Sequence, residues 1–206
     1  MEIPPASFRT PLATAVFPIG RRGVRLTPAE AGALPSLELA IGDLTLEEGD
    51  AIVNPTGGGL VDLAVQRAAG PELETALGER VAELVPPRLA PGQIVMTGGF
   101  ALRAKNVLHC VPPTYASNPV QARAELEACH AEALGFARHL GFTSISFPAI
   151  GTGAYRFPMA EAAAIATRVV IDAARRYSAP RLVRFVLYSP ATLDVYADAA
   201  RRQLYG

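Results

Sequence analysis

The sequence predicts a single α/β domain with a mostly parallel central sheet and helices on both faces of that sheet. Three observations indicate this class. Short apolar stretches typical of buried strands alternate with segments of helical periodicity along residues 37–204. Half of the 206 residues are hydrophobic, which is enough for one large core. Two of the predicted strands end in glycine-rich turns that lead into a helix, an arrangement typical of ligand sites in α/β proteins.

Residues 1–36 differ from the remainder of the chain. Prolines recur through them, and no clean period is present apart from a short strand-like stretch near residues 15–19. We interpret this segment as a proline-rich N-terminal arm laid over the domain, and residues 37–206 as the domain itself.

The first half of the domain contains four predicted strands, each a short apolar run. Pro71 at a first helical position and Glu72 near the positive helix end favour a helix start there. The last two strands of this half have no helix between them, so they either pair antiparallel or neighbour each other through a loop. In order, the elements are strand 37–41, helical turn 44–49, strand 51–54, helix 63–69, helix 71–85, strand 93–97 and strand 106–111.

The second half repeats a helix–strand pattern. Asn118 is a favourable cap for a helix that Gly141 ends, and Pro158 suits the first turn of the next helix. In order, the elements are helix 118–141, strand 144–147, helix 158–177, strand 181–187 and helix 191–204.

Charge and cysteine content exclude several classes of protein. Lys plus Arg and Asp plus Glu both number 19, which argues against bulk binding to nucleic acid or to an anionic membrane. No apolar run reaches the length of about 20 residues that a membrane span needs. Cys110 and Cys129 are interpreted as buried thiols in a reduced cytoplasm, and His109 as a satisfied core histidine. We expect no metal, because the histidines lack zinc-like spacing with the cysteines.

The most informative stretch covers residues 147–157. An apolar strand breaks into Gly151 and Gly153, and Pro158 then opens a helix. Glycines allow backbone N–H groups to turn toward one point, and a helix N-terminus adds unpaired donors and partial positive charge. Together they favour an anion site for a phosphate or pyrophosphate, although a purely structural turn is the alternative.

A second strand–glycine–helix unit strengthens that interpretation. Residues 51–54 are followed by Gly57, Gly58 and Gly59, and then by a helical stretch. Three consecutive glycines cost conformational entropy, which indicates a backbone that approaches something closely; a flexible surface loop is the alternative. Two such units at one edge of a sheet could hold a diphosphate from both sides.

These segments, in this order, resemble the macrodomain family, which binds ADP-ribose, over residues 37–204. The resemblance implies a three-layer α/β/α sandwich on a mixed, mostly parallel six-stranded sheet. The matching segments are Gly42-Asp43-Leu44, residues 51–54, residues 57–62, residues 67–73, residues 107–109, residues 147–155 and residues 185–188.

The resemblance assigns a role to several of these residues. Asp43, between Gly42 and Leu44, resembles the carboxylate that accepts a hydrogen bond from the adenine amino group, with capping of the following turn as the alternative. Tyr188 resembles the aromatic residue that stacks on adenine, with an ordinary core-edge tyrosine as the alternative.

The remaining ligand-binding residues fall in the two glycine-rich segments. Asn54 resembles the asparagine that orients the distal ribose or its loop, and Tyr155 the aromatic residue that packs against that ribose. Leu60 and Ile150 are expected to bridge over the diphosphate. The residues expected to contact the diphosphate are Gly57, Gly58, Gly59, Leu60, Val61, Ala149, Ile150, Gly151, Thr152, Gly153 and Ala154.

Two departures from the family pattern affect the expected chemistry. The second asparagine of the family motif is missing after Pro55-Thr56, and Gln66 stands where several family hydrolases carry histidine. Asp62 matches the aspartate that places or activates a water, so it is the candidate catalytic residue, with a helix N-cap before residue 63 as the alternative.

The resemblance therefore implies that the chain binds ADP-ribose, free or attached to protein, and hydrolyses mono-ADP-ribosyl or O-acetyl-ADP-ribose esters without a cofactor, as a cytoplasmic monomer. A reader that binds ADP-ribose without hydrolysing it is the alternative. A dinucleotide-dependent oxidoreductase is disfavoured, because residues 42–45 do not supply a Gly-x-Gly-x-x-Gly turn after the first strand.

Overall fold

The computed structural model describes residues 14–20, 34–116, 118–177 and 180–206. The strands are β1 Thr14–Pro18, β2 Ser36–Ile41, β3 Gly49–Pro55, β4 Ile94–Gly98, β5 Ala104–Cys110, β6 Ser144–Phe147 and β7 Leu182–Leu187. The helices are α1 Leu60–Ala69, α2 Glu72–Ala82, α3 Pro119–His139, α4 Met159–Tyr177 and α5 Pro190–Tyr205, and a 3₁₀ turn covers Leu44–Leu46.

The seven strands form one sheet in the order β1-β2-β7-β6-β3-β5-β4. The five central strands are parallel to one another, whereas the two edge strands β1 and β4 run antiparallel to their neighbours. This is the predicted α/β class. The antiparallel β4–β5 pair settles the alternative that the sequence left open.

The sheet has seven strands rather than six, because β1 pairs with β2 at its edge. This strand is the short stretch predicted near residues 15–19, and Phe17 within it is buried in the main core. Residues 1–13 and 21–33 of the predicted arm lie outside the described residues.

Alternating side chains along the central strands separate two cores. Val53 and Leu108 face the larger core, which packs beneath α3, α4 and α5. Ile52 and Val107 face a smaller core beneath α1, α2 and the 3₁₀ turn. Since both faces are covered, β3 needs the unbroken apolar run that the sequence shows rather than a strict alternation with polar residues.

Some predicted boundaries differ from those observed. Helix α1 begins at Leu60 instead of residue 63, with Gly59 as its N-cap, and α2 ends at Ala82 instead of residue 85. Cys110 and Cys129 are both buried free thiols, as predicted. No helix in the described part of the chain is both long and apolar enough to span a membrane.

Candidate functional site at the carboxyl edge of the sheet

All the residues that the sequence marked for ligand binding lie at or just beyond one edge of the sheet. The parallel strands β2, β7, β6, β3 and β5 all end there. Asp43 follows β2, Tyr188 follows β7, and the two glycine-rich segments follow β6 and β3. Because strand neighbours in this region are adjacent in space, the two glycine-rich segments share one side of the molecule.

The first glycine loop, residues 56–61, is held by a buried carboxylate. The Oδ2 atom of Asp62 accepts hydrogen bonds from the N–H groups of Gly57 at 3.0 Å and Gly58 at 2.8 Å. Asp62 is only 1% exposed, and it lies in the first turn of α1, whose N-cap Gly59 supplies no side chain. Asp62 is therefore not the N-cap of a helix starting at residue 63; it reaches back to organise the loop before the helix.

Asp62 leaves part of the first glycine loop open to a ligand. Among the described residues, the N–H groups of Gly59, Leu60 and Val61 have no acceptor, as expected at the start of a helix. Leu60, the first residue of α1, is 88% exposed. The N–H groups of Gly57 and Gly58 are already used within the chain.

Asn54, at the end of β3, belongs to a buried chain of polar groups. Its Nδ2 atom lies 2.8 Å from Asp62 Oδ1 and 3.3 Å from His109 Nδ1. The Nε2 atom of His109 lies 2.9 Å from Thr97 Oγ1. Burial lowers the pKa of His109 to about 4, an effect that the Asp62 charge only partly opposes, so the ring is neutral near pH 7.

The second glycine loop, residues 149–155, is held by backbone bonds. The N–H and hydroxyl of Thr152 both donate to the carbonyl of Ala149, and Phe157 N–H donates to the Gly151 carbonyl. Among the described residues, the N–H groups of Gly153, Ala154 and Tyr155 have no acceptor.

The loop conformation depends on one glycine in particular and on a buried anchor. Gly151 has a φ of +80°, which favours glycine. The Ile150 side chain is 1% exposed within the main core. The expectation that this side chain bridges over a diphosphate is therefore wrong, because the whole residue is buried.

The two glycine loops meet through tyrosine. The Tyr155 hydroxyl donates to the carbonyl of Thr56 at 3.2 Å, which joins the end of the second loop to the start of the first. Burial and the nearby charge of Asp62 raise the pKa of Tyr155, so the hydroxyl remains a donor at neutral pH. The loops are thus neighbours at one edge of the sheet, as the sequence predicted.

A further tyrosine fixes the second loop from the side of β5. Tyr115 N–H donates to the Tyr155 carbonyl at 3.2 Å, and the Tyr115 ring packs edge-on against Phe157 with centroids 4.7 Å apart. The Tyr115 hydroxyl donates to Glu161, which is also bonded by Arg123. This cluster ties the segment after β5 to the start of α4.

The other end of the site contains Asp43 and Tyr188. Gly42 N–H donates to the Leu187 carbonyl at 3.0 Å, so the residues after β2 and β7 are neighbours. Asp43 Oδ1 accepts from the N–H and hydroxyl of Thr45. Asp43 therefore caps the 3₁₀ turn, as the alternative interpretation held, while its Oδ2 makes no bond among the described residues. Tyr188 is 73% exposed, which rules out an ordinary core-edge tyrosine.

Sequence reasoning missed the contacts by which three residues support the site, namely His109, Thr97 and Tyr115. His109 was predicted as a satisfied core histidine, which is confirmed, but its link to Asn54 was not predicted. Neither was the role of Thr97 or of Tyr115. The pairing of Asn54 with His109 follows from the β3–β5 register, which one sequence does not encode in any local pattern. In the described part of the chain, no group of three His, Cys, Asp or Glu side chains could hold a metal ion.

Comparison with known proteins identifies the family of this chain. Residues 53–166 match the model of the macro domain family. An O-acetyl-ADP-ribose deacetylase of Salmonella newport is 39% identical over 172 residues, covering 81% of this chain and 95% of the relative.

Solved structures of macrodomains also superpose on this chain. A mutant of the Oceanobacillus iheyensis macrodomain with ADPR superposes with a TM-score of 0.84 at 30% identity, covering 94% of this chain and all of the other. A Trypanosoma brucei macrodomain in complex with ADP-ribose superposes with a TM-score of 0.69 at 28% identity, covering 79% of this chain and 68% of the other. By the extent of these matches and by its fold, the chain belongs to the macro domain family.

Proposed function

We propose that this chain binds ADP-ribose along the carboxyl edge of its sheet and hydrolyses esters at the distal ribose. The observation that carries the proposal is the order of the site residues along the edge. Asp43 and Tyr188 follow β2 and β7, the second glycine loop follows β6, and the first glycine loop follows β3. ADP-ribose has the same order of groups: adenine, diphosphate between two riboses, and distal ribose.

The diphosphate is assigned to the open amides of the two loops. These are the N–H groups of Gly59, Leu60 and Val61 in the first loop, and of Gly153, Ala154 and Tyr155 in the second. Backbone amides at a helix N-terminus bind phosphate without a basic side chain, which agrees with the zero formal net charge of the chain. The exposed side chain of Leu60 then covers the diphosphate from above.

The adenine and the distal ribose occupy opposite ends of the crevice. The Oδ2 atom of Asp43 accepts the adenine amino group, and the exposed ring of Tyr188 stacks on the base. At the other end, toward the distal ribose, the fully buried Asn54 holds the first glycine loop through its hydrogen bond to Asp62. Tyr155 packs against the same ribose.

Titration calorimetry with ADP-ribose tests the binding proposal. Tyr188→Ala removes the stacking ring and weakens affinity by about 1–3 kcal/mol. Tyr205→Ala is the matched control, because Tyr205 is equally exposed at 73% but lies at the end of α5. Absence of wild-type binding at high micromolar ADP-ribose, or equal losses in both variants, contradicts the proposal.

For the reaction, the preferred substrate is O-acetyl-ADP-ribose, because the Salmonella newport relative is a deacetylase of that compound. A water attacks the acetyl carbonyl, the acyl C–O bond breaks, and one proton of the water passes to the ribose oxygen, which leaves ADP-ribose and acetic acid; the acetic acid then releases its proton to solvent and becomes acetate. Asp62 already accepts three hydrogen bonds from the chain. One lone pair of its Oδ1 remains for that water, so Asp62 orients the water while it holds the loop.

Acetate release by wild type, Asp62→Ala and the exposed-acid control Asp198→Asn tests the reaction. We expect loss of turnover only in Asp62→Ala, by a factor of about 10²–10⁴ if positioning of the water is the dominant effect. Equal rates for wild type and Asp62→Ala remove Asp62 from the mechanism. A parallel assay measures release of ADP-ribose from a mono-ADP-ribosylated protein, which is the second class of ester that the chain is proposed to hydrolyse.

A reader function is the second candidate. It is favoured by the missing second asparagine after Thr56 and by the hydrogen bonds that already occupy Asp62. Tight ADP-ribose binding by wild type with no release of acetate or of protein-linked ADP-ribose is its expected signature.

A further inference from the structure

We propose that Arg156 gives this protein a preference for ADP-ribose that is attached to an acidic segment of a partner protein. Its guanidinium contacts carboxylates that lie beside the attachment point. This inference rests on the proposed function, because it concerns the group attached to the distal ribose. It applies to a hydrolase and to a reader alike, since both have to bind that group. Arg156 directly follows Tyr155, the residue assigned to the distal ribose.

The backbone of Arg156 has a conformation that disfavours arginine. Its φ is +56°, in the left-handed region, and among the described residues Phe100 is the only other non-glycine residue with a positive φ. Glycine adopts this conformation without the steric cost that a Cβ atom adds. An arginine at this position therefore costs stability that a glycine would not, so its side chain, rather than the fold, has to account for its presence.

Hydrogen bonds place Arg156 at the distal-ribose end of the site. Its N–H donates to the Gly153 carbonyl at 2.9 Å, and the preceding carbonyl, that of Tyr155, accepts from Tyr115 N–H in the segment after β5. In the sheet, β5 lies on the opposite side of β3 from β2 and β7, which carry the residues assigned to adenine. Arg156 is therefore near the end of the ligand to which a protein is attached, and away from the base.

The charge of Arg156 is not compensated within the described part of the chain. The residue is exposed, and its guanidinium has no hydrogen bond or ion pair there. Arg123 and Glu161, which both contact Tyr115, are instead bonded to each other. A guanidinium has five donors in a planar fork that matches a carboxylate. An acetyl ester offers this fork no charged partner, whereas a protein segment with aspartate or glutamate beside the modified residue does.

Fluorescence anisotropy with two labelled peptides tests the preference. Each peptide carries one mono-ADP-ribose group in a non-hydrolysable linkage, flanked by glutamates in one peptide and by glutamines in the other. At low salt, wild type should bind the glutamate peptide about two- to five-fold more tightly, which is the size of an exposed ion pair. The difference should shrink at high salt, because salt screens a contact of this kind.

Three substitutions at Arg156 separate the effect of its charge from that of its backbone. Arg156→Lys keeps the charge and should keep the preference for the glutamate peptide. Arg156→Asn removes the charge but tolerates a positive φ, and Arg156→Gly removes both the charge and the strain. These two variants should bind the two peptides equally. All three should bind free ADP-ribose as wild type does, because free ADP-ribose lacks the carboxylates.

Phe100→Gly is the matched control for the backbone change. Phe100 also has a positive φ, of +50°, but it lies in the turn between β4 and β5, at the edge of the sheet where β3 and β5 begin. This substitution should leave the ratio of the two peptide affinities at the wild-type value. Urea unfolding adds a second readout: Arg156→Gly should raise the midpoint of unfolding, since glycine relieves the strained φ.

Each other outcome has a definite meaning. Equal affinities of wild type for the two peptides, or a preference that survives in Arg156→Asn, would overturn the proposal. Binding of free ADP-ribose without binding of either peptide would overturn it too. So would a lower unfolding midpoint in Arg156→Gly, because the fold itself would then require the arginine. If wild type binds neither free ADP-ribose nor either peptide, the proposed function itself has failed.

Discussion

The two glycine loops end neighbouring strands and lead into helices, yet they are held in opposite ways. In the first loop, the N–H groups of Gly57 and Gly58 are bound by the carboxylate of Asp62. The second loop, residues 149–155, contains no charged side chain and is held by backbone bonds and by the hydroxyl of Tyr155. Glycines in a loop therefore do not by themselves indicate which amides are open to a ligand; the acceptors nearby decide that.

The largest effect is expected from removing the charge that organises the first loop. In Asp62→Asn, the new amide has one acceptor atom and one donor atom. It must turn its donor either toward the Gly57 and Gly58 N–H groups or toward the nitrogen of Asn54. At least one donor then loses its acceptor, and the cost is about 1–3 kcal/mol if that donor is the buried nitrogen of Asn54.

Urea unfolding measures the stability of Asp62→Asn, and calorimetry measures its affinity for ADP-ribose. Asp198→Asn is the control, because its ion pair with Arg201 is exposed and should contribute little. A variant at Asp62 as stable as the control would show that the carboxylate does not hold the loop.

A pair of glycine substitutions contrasts the two loops directly. Gly57 has a φ of +124°, and a methyl group there would collide with the Tyr155 hydroxyl. Gly57→Ala should therefore destabilise the fold by about 1–3 kcal/mol. Gly153 has no such φ, and a methyl group there meets no atom within 4 Å. Gly153→Ala should change stability by less than about 0.5 kcal/mol and still weaken ADP-ribose binding.

Comparing Gly57→Ala with Gly153→Ala distinguishes a glycine that the fold requires from a glycine that ligand binding requires. Thermal unfolding and calorimetry on both variants provide the two readouts. Equal destabilisation by the two substitutions would remove the proposed difference between the loops.

Acid should lower the stability of the chain in part through His109, the buried histidine that is linked to the first loop by Asn54 and Asp62. Burial lowers the pKa of His109 from 6.5 to about 4, so the folded chain resists a proton that the unfolded chain accepts in this window. The stability from neutral His109 is complete above pH 6.5 and is lost as the pH falls toward 4, with a slope of at most about 1.4 kcal/mol per pH unit. The second loop contains no group that titrates in this window.

Urea unfolding at pH 7, 5.5 and 4.5 measures this dependence. His130 is also buried with a pKa of about 4, so it contributes a similar slope of its own. His109→Asn should flatten the profile relative to wild type, whereas His139→Asn, at an exposed position, should leave it unchanged. Identical profiles for wild type and His109→Asn would contradict the assignment.

The parts of the site that follow from local patterns were predictable. An apolar run, a glycine turn and a helix start are each visible in sequence, and parallel strands necessarily end at the same edge. The positions of Asp43, Tyr188 and both loops follow from this logic. The exposed ring of Tyr188 agrees with a ligand role that the resemblance had implied.

The parts that depend on register and on side-chain reach were not predictable. Asp62 lies in the first turn of α1, but the amides that it binds are set by how the loop before it closes. The partner of Asn54 depends on the β3–β5 register, and the partner of His109 on the antiparallel edge strand β4. Ile150 was misassigned because a loop residue can still anchor in the core beneath it.

The smallest expected effect concerns the bond that joins the two loops. Tyr155→Phe removes the hydroxyl that donates to Thr56 and should cost about 0.5–1.5 kcal/mol in unfolding free energy. Tyr196→Phe is the matched control, because the Tyr196 hydroxyl is buried and has no hydrogen-bond partner among the described residues. Removing that hydroxyl should be neutral or stabilising, since no bond is lost and a buried polar group disappears.

Urea unfolding of the two phenylalanine variants therefore compares the same chemical change at two sites. Amide hydrogen exchange adds a local readout: in Tyr155→Phe, exchange of the Thr56 and Gly57 N–H groups should speed up relative to Tyr196→Phe. If the two variants cannot be distinguished by either measurement, the tyrosine bond does not couple the loops. Each loop would then keep its shape through its own contacts, the carboxylate of Asp62 in one and backbone bonds in the other.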